Sequence, residues 1–284
     1  MEIQNITVLG SGTMGRGIAY VCAAAGYEVI VSDIAEEILD FARQATLDVF
    51  DRGVEKQKLT RDQADAAFQR IRWMSDLESS ARESHLIIEA VPEELELKKE
   101  LFSQVDLYCS EETILATNTS SISITELAKG VERRENFIGL HFFNPVPVMK
   151  LLEIVVGERT GDATIEQARQ FAARIGKEPI VVRDSPGFAS SRLGVAIGLE
   201  AIRMLEEGIA SAEDIDRAMQ LGYNHPMGPL RLTDLVGLDV RLGIADYLAR
   251  TLGPRFEPPA LLRNMVEEGL LGKKTGRGFF VWEE

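Results

Sequence analysis

Short apolar runs alternate with amphipathic stretches over the first two-thirds of the chain. The runs fall at residues 6–9, 28–32, 71–75, 86–90, 113–116, 137–140, 152–156 and 180–182. Their length suits strands, and several lack in–out alternation, which marks strands covered on both faces. Between them, residues 15–25, 36–53, 61–69, 95–108 and 164–176 combine helix-forming composition with apolar positions at helical spacing. This alternation predicts an α/β domain built on a mainly parallel, doubly wound sheet. Past Asp184 the pattern changes. Leu193, Ile197, Ala201 and Leu205 recur every fourth position and outline one helix face that ends near Gly208. Ser211, with Asp214 three positions on, resembles a capping box opening a helix that stops near Gly222. Further helices are predicted at 230–236, 240–251 and 259–268, with a single strand at 279–282. The chain therefore reads as an α/β domain over 1–185 and a mostly α-helical domain over 186–284. The boundary falls near Ser185, Pro186 and Gly187.

Composition narrows the function classes. The chain has 284 residues, 45% of them hydrophobic and 27% charged, which is enough apolar material for a sizeable core. No apolar run approaches the roughly 18 residues of a membrane span, so no membrane partner is expected. The formal net charge of −14 disfavours nucleic acid, whose phosphates demand a basic surface. It leaves room for an anionic small ligand held by local cations and helix N-termini. Cys22 and Cys109 lie far apart without ligand spacing, so neither a disulfide nor a metal site is expected. Residues 1–10 read as a strand leading into a motif, with no basic and apolar leader before them; a cytoplasmic location is the expectation.

That motif is Gly10, Ser11, Gly12, Thr13, Met14 and Gly15, set between an apolar strand and an alanine-rich helix. A Gly-x-Gly-x-x-Gly string is weak evidence alone, but this context is what dinucleotide binding requires. Gly10 permits the tight turn, Gly12 lets backbone approach a pyrophosphate, and Gly15 lets the helix pack close to the strand. The helix N-terminus offers N–H groups to phosphate. Asp33 ends the second predicted strand, where a carboxylate accepts both adenosine ribose hydroxyls and repels a 2′-phosphate. The unit is of the Rossmann type, and NAD is the expected cofactor.

Polar residues at three further strand ends suggest the chemistry. Thr117, Asn118, Thr119, Ser120 and Ser121 follow one strand, His141 and Asn144 another, and Glu153 lies on a third. An imidazole exchanges a proton near neutral pH, which suits oxidation of an alcohol, and a carboxylate such as Glu153 can orient it. Ser120 and Asn144 can hydrogen-bond the substrate oxygen or the nicotinamide. On spacing alone, a lone histidine at a strand end such as His141 is more often structural than catalytic. His85 and His225 read as solvated or locally bonded.

Six segments carry a family resemblance. GSGTMGRGIA at 10–19, ATNTSS at 116–121, HFFNPVPVMKLLEI at 141–154, DSPGF at 184–188, PMGPLRLTDLVGLD at 226–239 and GKKTGRGFF at 272–280 resemble the 3-hydroxyacyl-CoA dehydrogenases, in order and across the whole chain. The resemblance implies an NAD-dependent enzyme interconverting L-3-hydroxyacyl-CoA and 3-ketoacyl-CoA. It implies a helical C-terminal domain that forms a homodimer. It implies that His141 is the acid/base, that Glu153 is its partner, and that Ser120 and Asn144 complete the catalytic set. Asp33, Glu93, Lys98, Asn118, Ser120 and Lys274 fall at cofactor positions, and Arg52 and Lys56 where relatives meet CoA phosphate. Ser191 stands where relatives commonly place an active-site Asn, which bears on the fit of the acyl group. A short substrate such as 3-hydroxybutyryl-CoA is expected. The alternatives are 3-hydroxyadipyl-CoA, a dehydrogenase of free hydroxy acids, and a non-catalytic NAD-binding protein on the same scaffold.

Overall fold

The computed structural model describes residues 2–283. It divides into two units between Asp184 and Ser185.

The first unit is an eight-stranded sheet in the order β3-β2-β1-β4-β5-β6-β7-β8. The strands are β1 (Asn5–Leu9), β2 (Glu28–Ser32), β3 (Ile71–Met74), β4 (Leu86–Glu89), β5 (Ile114–Thr117), β6 (Phe137–Phe142), β7 (Leu151–Val156) and β8 (Glu178–Arg183). Helices α1 (Thr13–Ala24), α2 (Glu36–Glu55), α3 (Arg61–Gln69), α4 (Leu77–Arg82), α5 (Leu95–Tyr108), α6 (Ile124–Leu127) and α7 (Asp162–Arg174) connect them. Every residue of β4, β5 and β6 is buried, as expected of continuous apolar runs with helices on both faces. All neighbouring strands are parallel except β6 and β7, which run antiparallel. Leu9, Glu89 and Thr117 lie side by side in register, so the residues after them open on one edge of the sheet. The chain order reverses beside β1, which is where a doubly wound sheet leaves a ligand crevice.

Local chemistry explains the helix ends. Thr60 and Gln63 form a complete capping box on α3. The short helices α4 and α6 carry too few turns to show periodicity, and their caps are Asp76 and Ser123. Cys22 and Cys109 are free and buried, and burial raises both thiols. His85 Nδ1 accepts the backbone N–H groups of Gln4 and Asn5, which makes it locally bonded.

The second unit contains α8 (Ser190–Glu206), α9 (Ala212–Tyr223), α10 (Pro229–Val236), α11 (Leu238–Leu252) and α12 (Ala260–Glu267). Its core gathers Val195, Leu199, Ile202, Leu230, Leu238 and Leu248. Two expectations are corrected here. The buried face of α8 is Val195, Gly198, Leu199, Ala201 and Ile202, whereas Leu193 is 62% exposed. Apolar residues occupy more than one face of that helix, and packing rather than spacing chose between them. The predicted strand at 279–282 is instead a bend, with only an isolated bridge between Val281 and Arg277. The backbone N–H groups of Phe279 and Phe280 and the Trp282 indole Nε1 all donate to the Asp234 carboxylate at 2.9 Å. Gly278 passes so close that a Cβ there would stand 2.2 Å from Asp234 Oδ1. Asp216 acts likewise, accepting Leu230 N at 2.8 Å and Arg231 N at 2.9 Å, and so caps α10 from α9. Among the described residues no helix is long and apolar enough to cross a membrane.

Candidate active site

The glycine turn fits a dinucleotide in its details. Gly10 has φ +94°, and a Cβ there would meet the Ala90 backbone at 2.9 Å. A Cβ on Gly15 would stand 1.8 Å from Gly10 O, so α1 packs on the turn only as glycine. A Cβ on Gly12 would meet nothing within 4 Å, which leaves the space above the turn open for a pyrophosphate. The side chains of Thr13 and Met14 begin α1, where the N–H groups are unpaired within the helix. Asp33 follows β2; its Oδ2 accepts Ser11 N and Ser11 Oγ, both at 2.7 Å, which ties the strand end to the turn. A cleft of about 450 Å³ lined by Gly10, Ser32, Asp33, Ile34, Ser75 and Val91 lies against this end. It has the size and the acidic rim that an adenosine needs.

Beside the turn lies a buried network that periodicity does not reveal. Lys98, on α5, is 1% exposed. Its Nζ stands 2.5 Å from Glu89 Oε1, 3.2 Å from Val91 O and 3.3 Å from Glu93 Oε2. Lys98 therefore points inward. Glu89 also accepts Val91 N and Thr117 Oγ1, both at 2.7 Å, so it joins the ends of β4 and β5. Burial raises the Glu89 carboxyl, and Lys98 and the Thr117 hydroxyl offset only part of that. One oxygen of Glu93 accepts Thr119 Oγ1 at 2.5 Å, Ser120 N at 3.0 Å and Ser121 N at 3.2 Å. Burial alone would raise this carboxyl, but Lys98 and these donors outweigh it and hold it below the usual carboxylate range. The Ser120 loop is thus wrapped around a carboxylate. Asn118 closes the same edge, its Oδ1 accepting Phe142 N at 2.9 Å.

His141 lies inside β6 rather than beyond it, paired directly opposite Glu153 of antiparallel β7. Opposite residues of an antiparallel pair share a face and stand close. Here His141 Nδ1 and Glu153 Oε2 are 2.7 Å apart, and both side chains are buried. Which atom carries the proton follows from the tautomer; a carboxylate partner favours N–H at Nδ1. The Phe143 ring packs on the imidazole at 4.4 Å between centroids.

The loop from β6 to β7 carries exposed Asn144. Lys177 anchors it from beneath, donating from Nζ to the carbonyls of Val146 and Met149. Val146 presses on α1 at Gly17, where a Cβ would approach it to 2.8 Å. This loop and α1 and α2 enclose a cleft of about 420 Å³ whose rim brings together Arg16, Arg52, Lys56 and Lys58. Arg52 and Lys56 come together as their spacing on α2 suggests, whereas Arg16 and Lys58 join them only through the fold. In the second unit Ser191 occupies the first turn of α8, and Lys274 Nζ lies 2.6 Å from both oxygens of Asp239.

A Rossmann turn selective for NAD, with a carboxylate-oriented histidine on the same sheet edge, defines a nicotinamide-dependent dehydrogenase. The family profile of the 3-hydroxyacyl-CoA dehydrogenase NAD binding domain matches residues 5–185, and that of the C-terminal domain matches residues 187–282. The chain is 42% identical to a probable 3-hydroxybutyryl-CoA dehydrogenase of Bacillus subtilis, covering 100% of this chain and 99% of that one. It is 40% identical to the mitochondrial hydroxyacyl-coenzyme A dehydrogenase of Homo sapiens, covering 99% of this chain and 92% of that one. The solved structure of an (S)-3-hydroxybutyryl-CoA dehydrogenase from Ralstonia eutropha superposes with a TM-score of 0.95 at 40% identity, with both chains fully covered. The chain belongs to the 3-hydroxyacyl-CoA dehydrogenase family and is an NAD-dependent oxidoreductase.

Proposed function

We propose that His141 is the acid/base of this enzyme, that Glu153 sets its protonation, and that the preferred substrate is a short-chain L-3-hydroxyacyl-CoA such as 3-hydroxybutyryl-CoA. The buried 2.7 Å pair between His141 Nδ1 and Glu153 Oε2 carries this reading. With Nδ1 held by the carboxylate, proton transfer falls to the other ring nitrogen. His141 takes the proton of the 3-hydroxyl, and Glu153 stabilises the imidazolium. Bound NAD supplies the hydride acceptor. In the reverse direction His141 returns the proton to the forming alcohol. Ser120, braced by Glu93, and Asn144, on the anchored loop, hold the substrate oxygen and the nicotinamide.

NAD lies along Gly10, Ser11, Gly12, Thr13, Met14 and Gly15, with its ribose on Asp33. Glu93, Lys98, Asn118 and Lys274 complete the cofactor surroundings; the inward ammonium of Lys98 acts through Glu89 and Glu93. The cationic rim of Arg16, Arg52, Lys56 and Lys58 receives CoA phosphate. Ser191 offers the acyl group one hydroxyl where relatives have an amide. A short acyl group is supported by the names of the similar proteins above. The helical unit exposes Leu221, Tyr223, Leu232 and Leu235, an apolar surface suited to a homodimer, and the enzyme works in the cytoplasm. His141→Gln tests the central assignment. Reduction of acetoacetyl-CoA by NADH should fall by roughly 10³-fold or more, and a loss of less than about tenfold overturns it.

A further inference from the structure

Glu89 ends β4 and is 0% exposed, and the proton transfer between His141 and Glu153 does not use it. Its ionisation follows from its partners. Lys98 Nζ and Val91 N donate to Oε1, and Thr117 Oγ1 donates to Oε2. Thr117 Oγ1 itself accepts Thr119 N at 3.2 Å, so its one hydroxyl proton is left to face Glu89. Burial raises this carboxyl, but all three partners are donors and favour the ionised form. A proton on Glu89 would find no acceptor among them. Glu89 is therefore a carboxylate held by the Lys98 ammonium.

Glu93 is ionised for the same reason. Thr119 Oγ1 accepts Ser121 N at 3.2 Å and Ile122 N at 2.9 Å, which turns its hydroxyl proton toward Glu93 Oε1. The N–H groups of Ser120 and Ser121 donate to that same oxygen. Two carboxylates thus share one ammonium. Among the described residues no other lysine or arginine pairs with either of them. The sharing is unequal: Lys98 Nζ lies 2.5 Å from Glu89 and 3.3 Å from Glu93. The cluster carries one excess negative charge, and it falls on Glu93, around which the Ser120 loop is wrapped. The N-terminus of α5 offsets only about half a unit of it.

We propose that Glu89 is a positioning residue for hydride transfer: by drawing the Lys98 ammonium to itself it leaves Glu93 with an uncompensated negative charge, which favours the oxidised, cationic nicotinamide over the reduced, neutral one. This rests on the reading that the nicotinamide lies at the Ser120 loop. The nicotinamide ring changes by one unit of charge between NAD⁺ and NADH, so a fixed charge beside it acts on the two forms unequally. A buried, hydrogen-bonded cluster is little screened by solvent, which lets that charge act across the loop.

The test titrates NAD⁺ and NADH separately by calorimetry, without acyl-CoA, into the unaltered protein, Glu89→Gln and the double variant Glu89→Gln/Lys98→Met. Glu89→Gln keeps the shape and removes the charge, so Lys98 turns to Glu93 and the ratio of the two Kd values should shift toward NADH by roughly three- to tenfold. The double variant removes the ammonium as well and restores the excess charge on Glu93, so the ratio should return to that of the unaltered protein. A merely structural Glu89 would weaken both nucleotides by the same factor and the double variant further, and that outcome overturns the proposal. If Glu89→Gln does not fold, Glu93→Gln removes the same unit of charge from a side chain that is 38% exposed. The same shift is expected there, and an unmoved ratio overturns the proposal. Ser120→Ala tests the reading beneath. Weaker binding of both nucleotides in Ser120→Ala, with an unmoved ratio in Glu89→Gln, sinks the charge assignment alone. Unchanged binding in Ser120→Ala sinks the placement of the nicotinamide and this assignment with it.

Discussion

Glu153 in the α/β unit and Asp234 in the helical unit are equally withdrawn from water, at 0% and 1% exposure. Their partners differ. Glu153 meets an imidazole, a group able to take up and release a proton, whereas Asp234 accepts two backbone N–H groups and an indole N–H. Neither the Asp234 donors nor those on Asp216 can change protonation in the working range, so these carboxylates are staples. Burial of a charge therefore does not by itself mark a site; the chemical nature of its partner does.

The comparison breaks if the two carboxylates respond alike to mutation. Glu153→Gln should lower kcat by roughly 10²-fold or more while leaving NADH affinity and melting temperature nearly unchanged. A lost fold with proportionate activity would make Glu153 a staple instead. Asp234→Ala should do the reverse. Three half-buried donors lose their acceptor, at a cost of about 3 kcal/mol, and calorimetry should show the helical unit melting about 10 °C lower. Gly278→Ala should mimic it, since its Cβ would collide with the same carboxylate. Normal stability in both variants, with lost turnover, would erase the distinction drawn above.

Two smaller effects sharpen it. Lys177→Met removes the anchor of the Asn144 loop, and KM for acyl-CoA should rise several-fold, on the order of 3- to 10-fold, with a lesser change in kcat. An equal fall in kcat and kcat/KM would place Lys177 in the chemistry instead. The smallest effect concerns pH. Glu93 is held below the usual carboxylate range in the folded protein, so its contribution is present at neutral pH and lost as pH falls through that lowered value. The melting-temperature gap between the unaltered protein and Glu93→Gln should narrow on acidification from about pH 7 to below about pH 4. A gap that widens over that range would show that Glu93 is not the group being stabilised.

Much of the fold is legible in the chain because its signals are local. The glycine turn, the strand before it, the helix after it and the acid ending β2 lie within one short segment. Short apolar runs located all eight strands to within a few residues. The helices α4 and α6 escaped because a turn or two carries no period. The face of α8 was misjudged because Leu193 and Ile197 are apolar without being core. Residues 279–282 looked like a strand because aromatic and branched side chains suit both strands and half-buried bends, and the Asp234 that decides the matter lies far away in the chain.

Sequence alone determined the residue types that the chemistry needs, their order, and the units that carry them. It supplied a dinucleotide turn with an acid at the ribose position, a histidine, and a glutamate on the following apolar run. Tertiary structure decided which of these meet. The antiparallel turn between β6 and β7 sets Glu153 opposite His141; a parallel connection would have carried it elsewhere. The fold turned Lys98 inward onto two glutamates and gathered Arg16 and Lys58 with Arg52 and Lys56. The physical reason is range. Turn chemistry and helical or strand periodicity act between near neighbours in the chain, whereas strand pairing, desolvation and charge pairing act between near neighbours in space.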